Sequence, residues 1–186
     1  MKLPACIAAL LLCSALPSVA AEPLDLPALV ECRQGVVAHT ALAAALADPL
    51  QAVAKGLQPL PQQNQFMTEY RLATPMTVFG HRTDRIALAG ASIMAILDLQ
   101  DPRPLATKLK LETAYDADGK FMAGRELVSR DVTDPVTGEA QIESIILSVS
   151  TVQSHPDQTL AGCTYSLDLP ADDEAPAALA PPANKG

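Results

Sequence analysis

The sequence predicts an α+β fold, with N-terminal helices packed on one face of a mainly antiparallel β-sheet and one disulfide, Cys32–Cys163. Three observations carry this expectation. Leu42, Leu46, Leu50, Val53 and Leu57 recur every three or four residues, the period of a helical stripe. From Gln65 onward apolar residues alternate with polar ones, the period of a strand. Helices first and strands afterwards is the order of an α+β chain rather than of repeated βαβ units.

Asp25 is placed to cap a first helix running to about Gln34, with Gly35 as its stop. The alanine-rich stretch that follows favours helix, but Asp48-Pro49 interrupts it. Proline costs about 3 kcal/mol inside a helix and is tolerated at the first position after a capping aspartate. Two helices are therefore expected, about 36–47 and 49–55. Gly56 closes the second, and "QPLPQQNQ" reads as a loop.

Phe66, Thr68, Tyr70 and Leu72 then alternate with Met67, Glu69 and Arg71. Met76 and Val78 follow, a turn is expected over Gly80–Asp84, and Ile86 and Leu88 resume the strand pattern. "SIMAILDL" is a further strand, and "QDPRPLATKL" is a break with a short helix after Pro104. The remainder reads as a meander of hairpins whose turns are "DADG", "DPVTG" and "SHPDQ". Ile145, Leu147 and Val149 fall on one face of it, with Ser144, Ser148 and Ser150 on the other. In the last strand Ala161, Cys163, Tyr165, Leu167 and Leu169 form the apolar set.

The first 21 residues have the pattern of an export signal: Lys2, an apolar run from Ile7 to Leu16, then Pro17 and the small residues "SVAA". That run is too short to span a membrane, which takes roughly 20 apolar residues. No later segment reaches that length without charges, so no transmembrane segment is expected in the mature chain. The expected organisation is a signal peptide at 1–21, a single α+β domain at 22–170 and a disordered Ala/Pro-rich tail at 171–186. Loss of the signal removes Cys6 and Cys13 and leaves Cys32 and Cys163, an even pair in an exported, periplasmic or extracellular protein. Cys163 belongs to the apolar set of its strand, so the bridge would tie the first helix to that strand from the core side.

Composition excludes several functions. Thirteen Lys and Arg against 21 Asp and Glu leave a net charge of −8, which repels nucleic acid. With no tryptophan and three each of Tyr and Phe, few rings are available to stack sugars or bases. Neither a Gly-x-Ser-x-Gly elbow nor an HExxH motif is present. "DADG" (Asp116–Gly119) has Lys120 and Leu127 where a calcium loop needs oxygen ligands, and reads as a hairpin turn. No catalytic residue, metal or cofactor is expected.

Of the three histidines, His155 in "SHPD" reads as a solvated turn residue. His39 lies on a helical run beside Thr40, and nothing in the sequence pairs it with a nucleophile. His81 belongs to "TVFGHRTDR", where it crowds with Arg82, Asp84 and Arg85 behind Gly80. This is a hairpin tip with its polar residues in water, or a cationic spot that grips a carboxylate or phosphate. His81, Arg82, Asp84 and Arg85 are accordingly the candidate binding residues. The hydroxyl row Ser144, Ser148, Ser150, Thr164 and Ser166 reads as solvent-facing strand positions.

These readings point to an exported, non-enzymatic protein that binds a protein or cell-envelope component through the sheet and the Gly80–Arg85 turn. The alternative is a small-molecule or lipid carrier with an apolar cavity lined by Met67, Met76, Met94 and Met122. A hydrolase built on His39 or His81 is a third reading, and requires a Ser, Cys or carboxylate within hydrogen-bond reach.

Overall fold

Asp25 accepts a hydrogen bond from Ala28 N at 2.9 Å and opens α1 (Leu26–Val30). The computed structural model describes residues 25–170. The expected signal segment and Ala/Pro-rich tail lie outside the described residues. Helix α1 is shorter than the run to Gln34 that the sequence suggests, because Cys32 turns into the left-handed region at φ 57°. Then come α2 (Val36–Leu46) and α3 (Pro49–Ala54), broken at Asp48-Pro49 as expected, with Asp48 accepting from Leu50 N at 2.9 Å.

The strands are β1 (Leu57–Pro59), β2 (Thr68–Val78), β3 (His81–Ala89), β4 (Ser92–Leu97), β5 (Glu112–Ala117), β6 (Lys120–Thr133), β7 (Ala140–Ser150) and β8 (Thr159–Asp168). Helix α4 (Arg103–Lys108) lies between β4 and β5. All eight strands form one antiparallel sheet in the order β1-β2-β3-β4-β8-β7-β6-β5. Two hairpin meanders therefore meet at a single β4–β8 seam, and the connection through α4 carries the chain from mid-sheet to the far edge. Gly162 makes the seam possible. A Cβ there would overlap the Ile93 carbonyl oxygen and stand 2.7 Å from Met94 Cα.

Two local readings change. Strand β1 takes Leu57 out of the expected helical stripe and the first two residues out of the expected loop, pairing Leu57 with Leu72 and Pro59 with Tyr70; proline is admissible there because the strand is at an edge. The turn expected over Gly80–Asp84 is instead the pair Phe79–Gly80, with φ 54° and 87°, and Val78 pairs directly with His81. Two-residue hairpins need positive φ, which is uncommon for phenylalanine. Glu31 holds the turn by accepting from Phe79 N at 2.8 Å, and Lys108 Nζ donates to Phe79 O at 3.0 Å. His81, Arg82, Asp84 and Arg85 thus lie on a strand, not at a tip.

The main core joins Leu29, Val30, Leu42 and Leu46 of the helices to Ile86, Ile93, Leu97, Ile145, Leu147, Val149 and Tyr165 of the sheet. The expected apolar set is in register: Ile145 lies opposite Tyr165, Leu147 opposite Cys163 and Val149 opposite Ala161. Leu167 and Leu169 of the same set are exposed. The disulfide Cys32–Cys163 forms, with Cα atoms 5.4 Å apart. A second, smaller cluster of Met67, Ala87, Met94, Ile96 and Leu160 uses the alternate strand positions. Val152 packs against it, and Asn64 Nδ2 donates to Ser154 Oγ at 3.2 Å, which ties segments 60–67 and 151–158 together. Among the described residues no helix is long and apolar enough to cross a membrane.

Candidate functional site

Between the pairs Arg71–Arg85 and Met76–Thr83 the β2–β3 register slips, so that four residues of β2 stand against Asp84 alone. Bulges re-aim side chains and open the ladder locally. Here the result is a cleft of about 180 Å³ lined by Pro75, Arg82, Thr83, Asp84, Arg85, Ile96 and Asp98. Three of the four candidate residues come together in it. His81 does not, since it sits half-buried at the hairpin end opposite Val78.

The charges are partly paired. Arg71 Nε lies 3.8 Å from Asp84 Oδ2, and Arg85 Nη2 lies 3.4 Å from Asp98 Oδ1. Asp98 also accepts from Gln158 Nε2 at 2.7 Å. Arg82 is exposed and makes no ion pair among the described residues. Thr83 is committed to the scaffold, donating to Ile96 O at 2.6 Å and accepting from Arg85 N at 3.1 Å. An incoming carboxylate would meet Arg82 directly. It could also draw Arg85 from its long contact with Asp98.

A second cleft of about 510 Å³ lies at the far edge, lined by residues that include Glu112, Ala114, Gly124, Arg125 and Ile146. Sequence reasoning missed it, although a glycine inside a strand is a signal for close approach or local irregularity. The hydroxyl row is half-buried and partly self-satisfied. Ser92 and Thr164 hydroxyls are 2.7 Å apart, and Ser144 Oγ donates to Glu126 at 2.8 Å. Met67, Met76 and Met94 are packed within the two cores, while Met122 is half-exposed.

The histidines are arranged differently from expectation. His39 is buried and stacks on Tyr165, ring centroids 5.1 Å apart. Burial holds its imidazole below its ordinary range, and its Nε2 has no hydrogen-bond partner among the described residues. His155, read from sequence as solvated, is 3% exposed. Its turn folds inward over the second cluster and sets the ring against Glu69 of β2, Nε2 to Oε1 3.2 Å.

Among the described residues no three His, Cys, Asp or Glu side chains converge as a metal site. Comparison with protein-family models, with curated proteins and with solved structures finds no match for this chain.

Proposed function

We propose that this chain is an exported protein that acts by binding a protein or cell-envelope component, and that the bulge-side cleft receives a carboxylate or phosphate of that partner. One observation carries the reading: Arg82 presents a guanidinium with no ion-pair partner among the described residues, beside Arg85 on a protein of net charge −8. Guanidinium groups match the planar fork of such anions and bind them more strongly than neutral groups do. Export is supported by the N-terminal sequence pattern and by the disulfide. In this reading residues 22–170 are one domain, and the helices cover the face that bears the main core. The opposite face, with the cleft, is then the contact surface.

The test compares wild type with the Arg82→Ala/Arg85→Ala variant in cross-linking to solubilised envelope fractions at low and high salt. The expected result is that a salt-sensitive adduct is lost in the variant. An identical set of adducts from both proteins would exclude the cleft as the contact.

A further inference from the structure

Asn64, Glu69, Ser154 and His155 form a chain of polar contacts that the binding reading does not use. Glu69 is the second residue of β2, opposite Ala87, and is 2% exposed. A carboxylate and an imidazole are costly to bury unless they face each other. His155 Nε2 and Glu69 Oε1 do so at 3.2 Å, and neither atom has another partner among the described residues. The contact is bent away from hydrogen-bond alignment, as catalytic pairs often are before substrate binds.

At the other nitrogen, His155 Nδ1 lies 2.9 Å from Ser154 Oγ. The neighbours fix the direction of that bond. Asn64 Oδ1 accepts from Phe66 N at 2.9 Å, so its amide nitrogen is the atom that faces Ser154, 3.2 Å from Oγ. The hydroxyl accepts there and has one hydrogen left, which points to Nδ1. The neutral ring then carries its hydrogen on Nε2, toward Glu69. This is the proton arrangement of a base-activated serine.

We propose that Ser154 is a nucleophile with His155 as its general base and Glu69 as a positioning residue, and that it takes esters of small apolar acyl groups. Ser154 is half-exposed, and Phe66, two residues after Asn64 and hydrogen-bonded to its side chain through the backbone N, is 75% exposed and offers an apolar rest for the acyl group. The second hydrogen on Asn64 Nδ2 is available to the carbonyl oxygen. Oγ attacks the carbonyl carbon as its proton passes to Nδ1, and the carbonyl pair moves onto oxygen. Collapse breaks the bond to the alcohol, which leaves with the proton from Nδ1. Water then attacks the acyl-serine, gives a proton to Nδ1 and releases the carboxylic acid, and Oγ recovers the proton.

Charged groups near the ring are otherwise engaged. Glu69 of β2 faces Nε2; Asp157 of the same loop is held by Gln100 Nε2 at 3.0 Å, and Arg71 of β2 is turned to Asp84.

The test treats the full chain with a fluorophosphonate and, separately, with p-nitrophenyl acetate. Mass spectrometry should place the phosphonate on Ser154, and Ser154→Ala should abolish it and lower ester hydrolysis at least tenfold. Glu69→Gln should slow labelling at least tenfold and flatten its rise with pH, with Glu69→Asp restoring part of the rate. Labelling is read on the purified chain with no envelope fraction present, so its failure leaves the cross-linking test of the binding cleft standing. No adduct on Ser154 in folded wild type would overturn the proposal. So would unchanged hydrolysis in Ser154→Ala, a variant whose fold does not depend on the buried pair.

Discussion

Arg130 of β6 and Glu143 of β7 face each other across the ladder, with Arg130 Nε 2.6 Å from Glu143 Oε2. The other carboxylate oxygen is 3.5 Å from Val36 N, at the start of α2. That helix begins at Gly35, which has no side chain to cap it. A strand residue more than a hundred positions away therefore supplies the acceptor that a local Ser or Asp would ordinarily provide. Glu143→Ala should destabilise the fold by about 1–3 kcal/mol, because it removes both the cap and the partner of Arg130. Urea denaturation of the two single variants and the double variant should show that Arg130→Ala and Glu143→Ala are not additive.

Gly162→Ala tests the seam between the meanders. The added carbon has only backbone to displace, so β8 must move away from β4. A loss of about 3 kcal/mol is expected, the upper part of the usual range for overpacking. Thermal unfolding would measure it, and Gly90→Ala serves to contrast crowding with turn strain, since nothing lies near a Cβ at that position.

His39 and Tyr165 set opposite ends of the pH profile. Burial holds the folded imidazole below its ordinary value of 6.5, so below that pH the unfolded chain takes up a proton that the folded chain resists. Stability from this source is complete above pH 6.5 and is lost as pH falls below it. The Tyr165 hydroxyl is pushed up to about 12 by burial, from an ordinary 10.0. Its contribution is complete below pH 10 and is lost as pH rises toward 12. His39→Phe keeps a ring on Tyr165 and should flatten the acid side of a stability curve followed by denaturant midpoint. Tyr165→Phe should flatten the alkaline side, and should cost about 1 kcal/mol at neutral pH for the bond to Leu29 O.

Reducing Cys32–Cys163 opens a constraint of 131 residues. On the chain-entropy account the loss is about 4–5 kcal/mol. Cys32→Ser/Cys163→Ser should match reduced wild type in guanidinium midpoint. A smaller shift would mean that the reduced chain keeps α1 against β8 through Tyr165 and Leu29.

Period-two alternation was enough to place β6, β7 and β8, because Phe121 and Ala123, then Ile145, Leu147 and Val149, then Ala161, Cys163 and Tyr165 bury alternate positions against the main core; β5 is exposed along its whole length and was marked only by the Asp-Gly turn that follows it. Asp48-Pro49 marked the helix break through backbone chemistry alone. The Phe79–Gly80 turn was not legible, since its left-handed phenylalanine is held by Glu31 and Lys108, which lie far off in sequence. The bulge that gathers Arg82, Asp84 and Arg85 into a cleft has the same character. His155 misled for a related reason. "SHPD" encodes a turn correctly, but only the second cluster and Glu69, 86 positions upstream, decide which way the turn faces.

The two meanders share one hydrogen-bonded seam, and the disulfide has one end before the first meander and the other in the last strand of the second. A protease that cuts the 98–111 connection would therefore release nothing until thiol is added. The severed pieces would remain tethered, so their re-docking after denaturation would be a first-order process, independent of protein concentration.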